Sequence, residues 1–206
     1  QTDKEKNQIY LYTSDPGKQH GFIETANQKA YDVLVLDGVL DSHFINTLEQ
    51  KLDKTQFRRV DSDTIDKLIV KDENVESVLS KEDQEKLKAI FDKAIGNPAM
   101  TVTIDSMAPD QMPVTVTMSE WARRMKDMAK TGGGGGMYSF MGNMPDQFSV
   151  SINSNHKMAQ KILKAENEEQ QTAFAKQAYD LALLSQGMLT GADLTNFIKR
   201  SVEMAS

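Results

Sequence analysis

Tyr179-Asp180-Leu181-Ala182-Leu183-Leu184-Ser185-Gln186-Gly187-Met188-Leu189-Thr190-Gly191, followed by Asp193-Leu194 and Asn196-Phe197-Ile198-Lys199-Arg200, is the stretch on which the reading of the chain turns. It lies within Gln171 to Ser206, which reads as two helices joined at Gln186 to Gly191. In the first, Phe174, Ala178, Leu181 and Ser185 line one side, and Ala175, Tyr179, Ala182 and Leu183 line another. A helix that is apolar on two sides is buried on two sides. The second helix takes Asp193 as its N-cap and sets Leu194, Phe197, Ile198 and Ser201 at helical spacing, with Lys199 and Arg200 pointing elsewhere. Such a pair has more apolar surface than its own domain covers, so two copies meeting in a four-helix bundle is the expected solution. An ordinary C-terminal hairpin packed on its own sheet is the alternative.

Working outward to the N-terminus, Ile9-Tyr10-Leu11-Tyr12-Thr13 reads as a strand closed by Ser14-Asp15-Pro16-Gly17. A helix follows with Phe22, Ile23, Ala26 and Ala30 on one face, then the continuous apolar run Asp32-Val33-Leu34-Val35-Leu36. Strand, helix and a strand covered on both faces imply a parallel sheet, so this part is a small α/β unit. Asp41 or Ser42 is placed to cap a helix carrying Phe44, Ile45, Leu48 and Leu52, and Gln56 to Val60 supplies a third strand. A boundary is expected near Asn74 to Ser80, giving domains 1–78 and 79–206.

Beyond the boundary, Ser80-Lys81-Glu82-Asp83 has the capping-box pattern, and Leu87, Ile90, Phe91, Ala94 and Ile95 repeat at helical spacing until Gly96 and Pro98. Met100 to Met107 and Val114 to Thr117 alternate around a Pro-bounded turn, which suggests a hairpin, and Phe148, Val150 and Ile152 give a third strand. Thr117-Met118-Ser119-Glu120 is a second capping box, and Asn155 is placed to cap a short helix holding Met158, Ile162 and Leu163. The fold class is therefore α/β followed by α+β: a small α/β unit, then a three-stranded sheet with helices and the terminal helix pair.

The 206 residues are 39% hydrophobic and carry a net charge of −6, with basic clusters interleaved with acids. Nothing there attracts a phosphate backbone, so nucleic acid is not an expected partner. The absence of cysteine excludes disulfides and thiolate metal sites and fits a reducing compartment. Neither a signal peptide nor a membrane-length apolar run stands out, so a cytoplasmic protein without a membrane partner is expected. Because the chain opens on Gln1, it is read as part of something longer.

No residue set points to catalysis. Gly132 to Gly136 is followed by Met137-Tyr138-Ser139-Phe140 rather than by the lysine and hydroxyl residue of a phosphate loop, and a helix precedes it. A tether is the plainer reading, with a nucleotide loop as the enzyme-class alternative. His20, His43 and His156 lie far apart and lack metal-site spacing, so no metal is expected. The exception to a bland surface is Met118 to Lys130. Met118, Trp121, Ala122, Met125 and Met128 form one stripe opposite Glu120, Arg123, Arg124 and Asp127. Such a stripe is usually core. Here it leads into Met137, Tyr138, Phe140, Met141 and Met144, which a short loop cannot bury, and methionine adapts to unlike partners. The expectation is an adaptable surface for exposed apolar segments of other proteins; a purely structural dimerisation module is the alternative.

The segment Tyr179 to Gly187 with Asp193 and Asn196 to Arg200 closely resembles the C-terminal helices of the heat-shock protein 90 family, in bacteria called HtpG. Ile9 to Tyr12 and Tyr31 to Asp37 resemble the last α/β part of that family's middle domain, and Ile152-Asn153-Ser154-Asn155-His156 resembles its strand-to-helix junction, with Ser154 where the family usually has proline. The matches come in the family's order over essentially the whole chain. What the resemblance implies is an ATP-dependent, V-shaped homodimeric stress chaperone acting on partly folded clients and held together by a bundle of its terminal helices. By the same resemblance, Met118, Trp121, Met125 and Met128 would contact clients. Tyr179, Leu181, Leu184, Met188, Leu194, Phe197, Ile198 and Ser201 would belong to the dimer region. The ATP and magnesium site and the middle-domain catalytic arginine would precede this stretch, so no cofactor and no ATPase activity are expected of it. The end Val202-Glu203-Met204-Ala205-Ser206 lacks the acidic pentapeptide of cytosolic eukaryotic members, which points to a bacterial type.

Overall fold

The computed structural model describes residues 1–71, 75–124 and 147–205. The chain forms two compact units, one from residues 1–74 and 117–148, the other from 75–116 and 149–206.

The first unit is built on a parallel sheet in the order β2-β1-β3, with β1 Gln8–Thr13 at the centre, β2 Val33–Val35 and β3 Thr55–Arg59. Helices α1 His20–Gln28, α2 Asp41–Lys51 and the short α3 Ile65–Leu68 complete it. Alternation along β1 decides which helix lies on which face. Ile9 and Leu11 join Ala26 of α1 and Ile65 and Leu68 of α3 in one core. Tyr12 joins Ile45 of α2 and Phe57 of β3 in the other. Tyr10 stacks on its register partner Phe57, with ring centroids 5.1 Å apart.

Two local expectations are corrected here. The run Asp32 to Leu36 does not make a strand covered on both faces: β2 is a short edge strand, and Leu34 and Val35 are exposed. A continuous apolar run is compatible with an edge as well as with a centre. Nor does Asp41 or Ser42 cap α2, whose N-cap is Leu40 without a side-chain bond. The Asp41 carboxylate instead accepts the Gly38 N–H at 2.7 Å, closing the turn before the helix.

The second unit carries a sheet in the order β4-β6-β5: β4 Met100–Asp105, β5 Val114–Thr117 and β6 Phe148–Asn153. The predicted hairpin is absent, because β6 lies between the two strands it would have joined. Val150, Ser151, Ile152 and Asn153 are all essentially inaccessible to water, the burial of a central strand. Its helices are α4 Lys81–Ile95, α5 Lys157–Leu163, α6 Glu168–Ser185 and α7 Gly191–Ala205. Helix α4 packs on β4, α5 and α6, and α6 packs on α7.

Among the helix ends, the Ser80 cap and the Gly96 stop of α4 match the expectation. Ser80 Oγ accepts the Asp83 N–H at 3.1 Å and donates to the Asp83 carboxylate at 2.9 Å, and Gly96 ends α4 in the left-handed region at φ +58°. Asn167 caps α6 through the Gln170 N–H at 2.9 Å. Helix α7 starts at Gly191, so Asp193 lies in its first turn, where a carboxylate favours the helix dipole, rather than at the N-cap. The cap of α5 is His156, not Asn155.

Asn155 has a different task. Its Oδ1 accepts from Val78 N at 2.8 Å, and its Nδ2 donates to the carbonyls of Glu76 and Met107, both at 3.0 Å. The fully buried Asn153 donates to the Ala108 carbonyl at 2.8 Å and accepts the Asn155 N–H at 3.0 Å. Two amide side chains thus satisfy the backbone of the irregular stretches around the strand-to-helix junction, which a buried loop cannot leave unpaired. Between them the Ser154 N–H donates to the Asp105 carbonyl at 2.9 Å, a bond that proline at this position could not make.

Candidate functional site

Each unit presents one surface of interest. In the first unit it is the helical turn 120–124, which Ser119 opens: its carbonyl accepts the Arg123 N–H at 3.1 Å and its Oγ the Ala122 N–H at 3.3 Å. Ser119 therefore does the work expected of Thr117. The turn is fastened by its polar side. All five N–H donors of Arg124 find acceptors: Nε on Glu120 at 2.7 Å, Nη1 on Glu49 at 2.6 Å and Asn46 at 3.0 Å, Nη2 on Glu49 at 3.1 Å and the Phe57 carbonyl at 2.7 Å. Glu120 in turn accepts the Tyr12 hydroxyl at 2.7 Å and the Arg59 N–H at 2.9 Å. Arg123 pairs with Asp61 at 3.0 Å, and Asp61 also holds Arg59 Nε at 2.8 Å and Gln19 Nε2 at 2.7 Å.

The electrostatics follow from this geometry. Burial works against the Arg124 charge, but Glu49 and Glu120 outweigh it and raise its pKa above the usual arginine range. Burial, reinforced by the charge of Glu120, also pushes the Tyr12 phenol above its usual value, so it remains a donor. With its polar side turned inward, the turn directs Trp121 outward, at 62% exposure, beside a groove of about 590 Å³ lined among others by Thr55, Phe57, Arg58 and Asp63. Met118 is 5% exposed and belongs to the interior. Met125, Met128 and the whole Gly132 to Met144 stretch lie outside the described residues.

In the second unit the surface is the α6–α7 pair. The connection is set by Gly187 at φ +66°, with the Met188 N–H on the Leu183 carbonyl at 2.9 Å and the Gly187 N–H on the Leu184 carbonyl at 3.0 Å. This is the Schellman arrangement that ends a helix on a left-handed residue. The pair is locked by polar contacts: Asp180 accepts from Lys176 and Arg200, both at 2.6 Å, and Gln177 accepts from Arg200 at 2.8 Å and donates to the Ser201 hydroxyl at 2.7 Å. Burial, with the charges of Asp180 and Asp193, pushes the Tyr179 phenol up to about 12.

The residues expected at a dimer surface therefore divide. Tyr179 and Phe197 are buried and hold the pair to its own unit, while Met188, Leu194 and Ser201 are half-buried. Leu181, Leu184 and Ile198 are exposed, Ile198 at 53%. Val202, 62% exposed, and Met204 extend this apolar surface and were not anticipated, although Leu194, Ile198 and Val202 recur at four-residue spacing along α7. The Tyr12, Glu49 and Arg124 contacts were not anticipated either, and sequence distance hides them. Among the described residues no His, Asp and Glu cluster converges as a metal site would, and no helix is long and apolar enough to cross a membrane.

The family model described as Hsp90 protein matches residues 1–206. A chaperone protein HtpG of Bacteroides fragilis (strain 638R) is 34% identical over 273 aligned positions, covering 99% of this chain and 39% of the relative. One of Porphyromonas gingivalis (strain ATCC 33277) is 38% identical over 171 positions, covering 82% of this chain and 25% of the relative. One of Helicobacter pylori (strain J99) is 28% identical over 189 positions. The chain thus spans well under half the length of the relatives it matches. With a match along its full length and these relatives beside it, the chain belongs to the Hsp90 family and is of the HtpG type.

Proposed function

We propose that this chain is the closing part of the middle domain, residues 1–78, and the C-terminal dimerisation domain, residues 79–206, of an ATP-dependent chaperone of the HtpG type. It dimerises through α6 and α7 and offers a Trp and Met helix beginning near Met118 to partly folded proteins in the cytoplasm. The observation that carries dimerisation is the exposed apolar face of Leu181, Leu184, Ile198 and Val202 on two helices that their own polar contacts already lock together. Fully withdrawing such a side chain from water contributes about 1.5–3 kcal/mol, and these are about half covered already. Counted over both protomers, the gain is of the same order as the cost of association, so the dimer is reversible and concentration-dependent.

For client contact the supporting observation is Trp121, a large aromatic held outward on a turn whose polar side is fastened down. ATP and magnesium act through parts of the full-length protein outside these residues, and this part hydrolyses nothing by itself. Replacing Trp121 with serine tests the reading. Binding of a permanently unfolded protein should weaken severalfold with the melting temperature unchanged; unchanged binding would remove Trp121 from the client surface.

A further inference from the structure

The exposed tryptophan is held in place by a contact far from it in sequence, and we propose that Glu49 of α2, with Tyr12 of β1, is a positioning residue for the Trp121 surface, acting as an ionic latch on the turn 120–124. The inference rests on the client-binding reading of Trp121. The latch has two arms. Glu49 accepts two bonds from Arg124, at 2.6 and 3.1 Å, and also the Phe57 N–H at 2.6 Å, so one carboxylate ties the turn both to α2 and to the edge strand β3. Tyr12 donates at 2.7 Å to Glu120, whose other oxygen accepts the Arg59 N–H at 2.9 Å.

Arg124 and Glu120 are four residues apart and bonded to each other at 2.7 Å, so both arms close on one helical turn and fix its rotation. With that rotation fixed, Trp121 has one direction available. The geometry suits a rigid fork and not a flexible point charge, since all five guanidinium N–H groups are matched by acceptors. The partners are only partly shielded: the side chains of Arg124, Glu49 and Glu120 are 15, 23 and 21% exposed. A pair at that depth retains directional strength and is still open to competition by salt or by another charged chain. The latch therefore positions the turn without making the fold depend on it.

Because both Glu49 oxygens accept from Arg124, Glu49→Gln places an amide donor against the guanidinium whichever way the amide turns, and Tyr12→Phe removes the second arm while keeping the ring. Amide hydrogen exchange, read on the full chain, should rise at least fivefold at residues 120–124 in Glu49→Gln and further in the double variant, with β1 and the rest of β3 protected as in the parent. Affinity for a carboxymethylated, permanently unfolded protein should fall three- to tenfold. Exchange at 120–124 within twofold of the parent in both variants would overturn the latch, and faster exchange with unchanged affinity would overturn the positioning role. If the parent itself fails to bind the unfolded protein, the client reading falls, whereas the exchange result still decides whether the latch exists.

Discussion

Asp180 of α6 and Arg200 of α7 are joined at 2.6 Å through a carboxylate whose side chain is 2% exposed and which Lys176 approaches from the same helix at the same distance. A charge so far from water persists only because two cations compensate it, and one of them, Arg200, is itself held by the side-chain carbonyl of Gln177. Its role is to fix how α7 lies along α6, and thereby which side chains remain facing outward.

Asp180→Ala should accordingly destabilise the second unit by about 2–4 kcal/mol, because it leaves Arg200 and Lys176 without their acid. Both cations keep some access to water, which holds the loss toward the lower end. Chemical denaturation read by far-ultraviolet circular dichroism measures it, and a loss under about 0.5 kcal/mol would show that the pair is replaceable.

His156 gives the second unit a mild acid sensitivity. Its Nδ1 accepts the Met158 N–H at 3.0 Å as the cap of α5, which requires the neutral ring. Burial, with the nearby Lys157 charge, lowers its pKa below the ordinary value of 6.5. A depressed folded-state pKa means that the unfolded chain binds the proton first. The stabilisation is thus complete above about 6.5 and is lost as pH falls through the lower folded value. His156→Asn, which keeps a good cap and cannot titrate in this range, should flatten the dependence of the melting temperature on pH below about 6.5. A slope as steep as the parent's would assign the sensitivity to another group.

Ser154→Pro should destabilise this chain by about 1–3 kcal/mol. It removes the N–H that the Asp105 carbonyl accepts at 2.9 Å and the hydroxyl bonded to Ser77 at 2.9 Å. Thermal melting compares the two, and an unchanged or higher midpoint would mean that the junction relaxes to accept the ring.

Features governed by neighbouring residues were legible in the sequence. Ser80 capping onto Asp83, Gly96 stopping α4 and the strand at Ile9 to Thr13 depend on local spacing and composition alone. Strand order was not, since β6 occupies the centre of its sheet for reasons of burial that no local pattern contains. Glu120 and Arg124 read as a solvated face because charged residues usually are. Their acceptors and donors, Tyr12 and Glu49, lie 108 and 75 residues away. On α7 the face was half-read: Ile198 was picked out, while Val202 one turn on was passed over although its spacing matched.

Sedimentation equilibrium of the chain beside its Ile198→Asp variant addresses most directly the claim that α6 and α7 form a self-pairing surface. A charge placed at the centre of that face should shift a concentration-dependent dimer to monomer while the circular dichroism spectrum stays that of the parent. A parent that sediments as monomer throughout the micromolar to hundred-micromolar range, or a variant that dimerises as well as the parent, would contradict it.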